Sequence, residues 1–265
     1  MKLVTHSQFG YDTFPNHHPE EGEKYIDVWQ DNEVIDHKGG IALLLEPRSM
    51  IGSAYEYVEN HPNNYDLIFT HDSRILRDNN NARFLIWADV WINNQFPYKQ
   101  KGISLVTSYK NWCPLHRQRI ELADFYKDSD KVDVFRTYSP EDKGYLPKEY
   151  LEPYMYSIII ENDIDDLWFT EKLLNCFATK TIPIYVGARR INQKFNTNGM
   201  IICDSVDAIP AAVEGLHNLG MEKIYKNAKG AINDNFKRVQ FYRTGWLDRF
   251  FRQYGEEIEE LWRRL

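Results

Sequence analysis

Between Tyr156 and Ser205 a polar run leaves a buried strand and enters a helix, and this run carries the residues best suited to hold a charged ligand. The strand Tyr156-Ser-Ile-Ile-Ile160 is followed by Glu161-Asn162-Asp163-Ile164-Asp165-Asp166-Leu167-Trp168-Phe169-Thr170-Glu171-Lys172, then by a helix, then by Ile182-Pro-Ile-Tyr-Val-Gly187. A loop of this kind delivers side chains and the free N–H groups of a helix start to one place at the edge of a sheet. A lysine beside such amides suits a diphosphate, and a carboxylate there accepts hydrogen bonds from ribose hydroxyls. Lys172 and Glu171 together therefore fit a nucleotide. The same two charges also fit a plain helix start, with Glu171 complementing the dipole and Lys172 solvated.

Two further sites for chemistry stand upstream. Glu46 directly follows the apolar run Ile41-Ala-Leu-Leu-Leu45, which puts a carboxylate at a strand's end; a turn carboxylate before Pro47 fits the same residues. Arg117 and Arg119 open a helix that follows the strand-like run ISLVTS (103–108), and each is equally a solvated helix charge. His71-Asp72 follows the run YDLIFT (65–70), where His71 faces a cleft or caps the strand, and His17-His18 also stands out, although neither pair offers a two-ligand helical spacing.

These residues need elements to hold them. Short apolar runs bounded by turn residues recur at 41–45, 65–70, 83–88, 103–108, 131–135, 157–160, 182–186 and 200–203, and they read as buried strands. Helical spacing is expected over Leu115 to Lys127, Thr170 to Lys180, Val206 to Leu219, Met221 to Asn235, and from Arg238 onward. Strands separated by helices of this length imply parallel βαβ units. The Pro- and charge-rich stretch from Arg136 to Pro153 interrupts the pattern and predicts a boundary near residue 145. The expected fold is thus α/β: two Rossmann-like domains, 1–145 on the acceptor side and 146–265 carrying the nucleotide site and terminal helices, with a cleft between them.

The order strand, Glu-Asn, loop, aromatic-x-Thr-Glu-Lys, helix, Ile-Pro-Ile-x-x-Gly is similar to the donor-binding signature of the α1,3-fucosyltransferases. The resemblance implies a metal-independent, two-lobed (GT-B-like) inverting glycosyltransferase that moves fucose from GDP-fucose to a glycan hydroxyl. It implies donor contacts for Asn162, Trp168, Glu171 and Lys172, with Trp168 standing where the family usually has Tyr. The segment from Ser104 to Phe135 resembles the family's strand–loop–helix–strand unit, in which an arginine reaches the donor phosphates. Arg119 keeps the spacing to the next strand better and Arg117 lies nearer the helix start, so both are carried. IALLLEPRSM resembles the family's catalytic-base segment, although it lacks that segment's serine, and assigns the base to Glu46. Catalysis is then assigned to Glu46 and Lys172.

The bulk composition bounds the alternatives. At 265 residues, with 43% hydrophobic and 27% charged residues, the chain has material for two cores, and 17 Tyr, 14 Phe and 7 Trp suit either packing or flat ligands. A net charge of −7 argues against nucleic acid as a partner. Cys113, Cys176 and Cys203 form no metal knuckle and read as buried thiols. No cofactor beyond the donor is expected, although Asp163-x-Asp165-Asp166 offers a rival reading as a cation site. No Gly-rich phosphate loop, nucleophile elbow or H-E-x-x-H occurs. No signal-like or membrane-spanning run is visible and no Asn-x-Ser/Thr is present, so a cytoplasmic protein is expected, in host cytoplasm if the source is viral. The amphipathic C-terminal segment is expected to pack back across the two domains or to form a subunit contact. Another nucleotide-sugar transferase, or a non-catalytic carbohydrate-binding protein, are the alternative functions.

Overall fold

A computed structural model describes residues 1–7, 14, 19–92, 99–137 and 147–264. His17-His18 lies outside the described residues. The chain divides into two compact units, Met1–Trp87 together with Trp246–Leu265, and Ala88–Gly245.

The first unit is built on five parallel strands in sequential order: β1 (Leu3–His6), β2 (Ile26–Gln30), β3 (Ile41–Leu43), β4 (Leu67–Thr70) and β5 (Ala82–Phe84). Parallel neighbours need crossovers, and the helices α1 (Arg48–Asn60) and α2 (Ser73–Asp78) supply two of them. The two-residue period of a strand sorts the side chains. Ile41, Leu43 and Leu45 share one face with Ile26, Val28, Leu67 and Phe69. Ala42 and Leu44 pack the other way, with Ile51, Ala54, Tyr55 and Val58 of α1. The first face is covered by the last helix, α9 (Trp246–Arg264), whose stripe of Phe250, Tyr254, Ile258 and Leu261 recurs at helical spacing. Tyr254 also donates its hydroxyl to the carbonyl of Phe84, and Arg83 pairs with Glu257.

The second unit holds another parallel five-stranded sheet, in the order β10 (Ile201–Ile202), β9 (Ile182–Val186), β8 (Tyr154–Ile160), β6 (Lys101–Thr107), β7 (Asp133–Arg136). The central strand β8, YMYSIII, is buried along its whole length, as a parallel strand covered on both faces must be. Pro183 is tolerated in β9 because β10 reaches only Ile184 and Tyr185, which leaves that side unpaired at Pro183. Helices α3 (Pro114–Tyr126), α4 (Pro147–Leu151), α5 (Glu171–Ala178), α6 (Ile209–Leu219), α7 (Met221–Asn227) and α8 (Lys229–Val239) complete the unit. From β6 the chain moves outward through α3 to β7, then returns to the opposite side of β6 to form β8, and continues to β9 and β10. The strand order therefore reverses between β6 and β8.

The two-unit α/β architecture agrees with the sequence, but its division does not fall near residue 145. That position lies outside the described residues, and the strands flanking it, β7 and β8, both pair with β6 in one sheet. The Pro-rich stretch belongs to a crossover within the second unit. The C-terminal helix likewise belongs to the first unit rather than the second, because its apolar stripe completes the core over β1 to β4. Strands β1 and β2 and helix α1 were not expected. β1 and β2 are short and alternate buried with half-buried positions, and α1 carries Gly52 and a break from helical geometry at Ile51. Among the described residues no helix is long and apolar enough to cross a membrane.

Phe250 is 1% exposed at the centre of the α9 contact. Phe250→Ala should cost about 3–5 kcal/mol of stability through lost burial and a cavity. Arg252→Ala, at an exposed position of the same helix, should change it by no more than about 0.5 kcal/mol. Thermal unfolding followed by circular dichroism measures both, and equal effects would mean that α9 is not a core element.

Candidate functional site

In an open parallel sheet, ligands bind outside the carboxyl ends of the strands where the strand order reverses. In the second unit that point holds a pocket of about 160 Å³. Val106, Thr107 and Ser108 line it from the end of β6, and Ile158–Ile160 from the end of β8. Thr137, Tyr150, Arg119, Glu171 and Lys172 complete the wall. Helix α5 begins here, so its first-turn N–H groups and positive dipole end act on the same space as the two cations.

The start of α5 is organised by one carboxylate. Glu161, at the end of β8, is fully buried. One of its oxygens accepts the N–H of Thr170 at 2.9 Å, and the other accepts the Thr170 hydroxyl at 2.8 Å. Thr170 is the N-cap of α5, and its hydroxyl oxygen accepts from the Lys172 N–H at 3.4 Å and from the Lys172 ammonium at 3.0 Å. The ammonium stands 3.6 Å from Glu161 and 3.3 Å from Glu171. Burial raises the pKa of Glu161, against the pull of Lys172. Burial also works to lower that of Lys172, but Glu171 and then Glu161 outweigh it, and the lysine is held charged. Gly187 is glycine for a steric reason: a β-carbon there would lie 2.4 Å from the Tyr185 hydroxyl and 2.7 Å from Cγ of Glu161.

A second group of side chains comes from α3. Arg119 is 7% exposed, and its guanidinium donates to the carbonyls of Ile160 and Glu161 and to Oδ1 of Asn162. Its buried Nε–H has no hydrogen-bond partner among the described residues. Burial lowers the pKa of Arg119, with Glu161 opposing, yet an arginine this far from neutrality stays charged. The pocket thus contains a buried cation whose partners are mostly neutral oxygens. Arg117 lies two residues earlier on the helix, about 200° away around its axis. It is exposed, and reaches the carbonyl of Asn111. Of the two arginines, only Arg119 lines the pocket.

His116 links this group to the β8 loop. Its Nδ1 accepts the N–H of Trp112 at 3.2 Å, which assigns the proton to Nε2, and Nε2 donates to Oδ1 of Asn162 at 2.9 Å. The Asn162 side-chain oxygen therefore faces His116 and Arg119, and Asn162 does not line the pocket wall. Trp168 is 2% exposed and packed in the interior, so the expected contact between its ring and a donor has no counterpart in the pocket lining. In the acidic loop, Asp163 and Asp165 each accept the N–H of the next residue, and Asp166 stands 3.7 Å from Arg190. Among the described residues no three His, Cys, Asp or Glu side chains gather as a metal site would require.

Glu46 belongs to the first unit, just past β3 and half-buried. Its N–H and that of Leu45 both donate to Oδ1 of Asp31, at 3.1 and 2.8 Å. Asp31 is buried and holds a left-handed backbone with φ 54°. Burial raises its pKa, and the two N–H donors pull the other way. The Tyr55 hydroxyl donates to the Glu46 carbonyl at 2.9 Å and lies 3.2 Å from Nε2 of buried His71. Asp72 caps α2 and receives Arg48. Asp31 left no trace in the sequence pattern, since one aspartate after a strand is ordinary. Glu161 and His116 stood inside recognised segments, but only the fold shows that they are buried and linked.

These two parallel α/β units have the fold of the GT-B glycosyltransferases. The chain is similar to a solved α1,3-fucosyltransferase with GDP and to one with GDP-fucose, each with TM-score 0.51, 14% identity, and coverage of 91% of this chain and 76% of that one. It is also similar to the GtfA/B complex, with TM-score 0.52, 12% identity and coverage of 89% and 57%. TarM gives TM-score 0.52, 13% identity and coverage of 90% and 54%. The chain therefore spans about half to three quarters of these proteins, and the likeness is one of fold. No family model matches the chain, and no curated protein matches it in sequence.

Burial first, and then Arg119, bring the His116 imidazole down to about 4. A histidine depressed in the folded state is protonated first in the unfolded chain, so its stabilising contribution is complete above the ordinary value near 6.5 and falls away as pH drops toward 4. NMR titration should place the His116 midpoint well below 6.5. His116→Gln should flatten the loss of thermal stability between pH 6.5 and 4. A midpoint at 6.5 or above would contradict the neutral imidazole.

Proposed function

We propose that this chain is a glycosyltransferase that binds a nucleotide-sugar donor at the carboxyl ends of β6 and β8. The observation that carries this reading is the pairing of buried Arg119, whose Nε lacks a partner among the described residues, with Lys172 at the start of α5, both lining one pocket at the strand-order reversal. Two cations and a helix start aimed at one small space suit a diphosphate. Glu171 stands beside them as an acceptor for ribose hydroxyls.

Resemblance of the segment from Glu161 to Gly187 to the α1,3-fucosyltransferase signature favours GDP-fucose as donor and a glycan hydroxyl as acceptor. In this mechanism Glu46 takes the proton from the acceptor hydroxyl. The acceptor oxygen attacks the anomeric carbon as the bond to the diphosphate oxygen breaks, with inversion, and Lys172 and Arg119 stabilise the charge that grows on departing GDP. Arg117 is left outside the mechanism. Asn162 serves through its hold on His116 and Arg119, and Trp168 serves as packing beneath the loop. A different nucleotide sugar is the second reading, supported by the equal likeness of fold to GtfA/B and TarM.

Thermal shift against GDP-fucose, GDP and a panel of UDP-sugars tests the donor, since a ligand that binds the folded state raises its stability by mass action. A rise with GDP compounds alone is expected, and a rise with UDP compounds alone would replace the donor. Lys172→Ala should lower turnover about 10²-fold, the scale of a preorganised electrostatic group. Glu46→Ala should abolish transfer while GDP affinity is retained. Loss of GDP binding in Glu46→Ala would move Glu46 to the donor side.

A further inference from the structure

Glu161 carries no role in the mechanism above, yet its environment is tightly constrained. It is fully buried, both of its oxygens are committed to Thr170, and the second also stands within ion-pair distance of Lys172. Its Cγ occupies the space that a side chain at residue 187 would need. Its own N–H donates to the Val186 carbonyl at 2.9 Å, and its carbonyl accepts from Arg119. One residue therefore touches the end of β9, the cap of α5, and both cations of the pocket.

We infer that Glu161 is a positioning residue: it fixes the Thr170 hydroxyl and the Lys172 ammonium at the mouth of α5 so that the lysine meets the donor diphosphate already placed. This rests on the reading of the pocket as a nucleotide-sugar site. Holding a flexible lysine in one geometry before the ligand arrives removes an ordering cost that binding would otherwise carry. Thr170 transmits the hold, because its hydroxyl donates to Glu161 and accepts from the ammonium at 3.0 Å. Without the carboxylate, Thr170 loses the acceptor of both its buried donors, and Lys172 keeps one of its two neighbouring carboxylates, Glu171, whose side chain is 15% exposed and lines the pocket.

A carboxylate that merely competed with the diphosphate for Lys172 would act in the opposite direction. Removing it would then tighten the binding of an anion. The two roles are separated by the sign of the change and by whether it survives the loss of Lys172.

The test is a double-mutant cycle of Glu161→Gln and Lys172→Ala, read as GDP affinity by calorimetry and, in parallel, as thermal stability. Glu161→Gln should weaken GDP binding about tenfold in the wild-type background and by less than about twofold in the Lys172→Ala background, because its effect passes through the lysine. Tighter binding in Glu161→Gln, or equal losses in both backgrounds, would overturn the positioning role. If Glu161→Gln does not fold, Thr170→Val removes the shared hydroxyl at nearly constant shape and is held to the same two outcomes, with Thr170→Ser restoring affinity. Wild-type protein that binds neither GDP nor UDP would sink the nucleotide-sugar reading itself and this inference with it. Binding that is indifferent to Lys172→Ala would remove the lysine from the phosphate site, whichever way Glu161→Gln behaves, and overturn the inference as well.

Discussion

A buried carboxylate must be matched by donors, and meeting that requirement at Glu161 shapes much of the second unit around the end of β8. The matching donors come from Thr170, which must then sit at the start of a helix, and the nearest cation comes from Lys172, two residues further on. The room for the side chain comes from Gly187 at the end of the next strand. Three segments separated in sequence, Glu161-Asn162, Thr170-Glu171-Lys172 and Ile182 to Gly187, are thus parts of one arrangement. A change in any of them is felt by the others.

The topology of the sheet explains why charge gathers at this edge. Parallel strands end together, and at the reversal between β6 and β8 the crossovers leave in opposite directions, which opens a space lined by strand ends and helix starts. Arg119 enters from α3 and Lys172 from α5, so the two cations approach from different helices and are both kept from full solvation. His116 stands beside them as a neutral imidazole, donating to Asn162, rather than as a third positive charge. At the strand ends of the first unit a buried carboxylate again gathers backbone N–H groups: Asp31 holds the turn that carries Glu46.

Much of this could be read from residue order. The central strands β3, β4, β6, β8 and β9 announced themselves because parallel strands buried on both faces are continuous apolar runs, and Glu171 and Lys172 were legible because helix starts have a recognisable grammar. Strands β1 and β2 did not, since buried and half-buried positions alternate in each and the runs are only four and five residues long. The choice between Arg117 and Arg119 depended on which way α3 rolls against the sheet, and local spacing does not contain that. A donor contact at Trp168 comes only from the resemblance to the family signature, and burial is not written in that resemblance: the ring is 2% exposed. The boundary near residue 145 rests on prolines and charges, which mark a connection whether it joins two domains or two strands of one sheet.

The return of α9 to the first unit has a consequence for how the chain is made. The second unit is contiguous, Ala88–Gly245, and all five of its strands have left the ribosome before α9 is synthesised. The first unit begins earlier but is completed last, since the face formed by Ile41, Leu43 and Phe69 stays uncovered until Trp246–Leu265 has been made. A nascent chain therefore leaves this apolar face without its covering helix throughout the synthesis of the second unit, and transiently exposed apolar surface of this kind is what makes incomplete chains prone to aggregate.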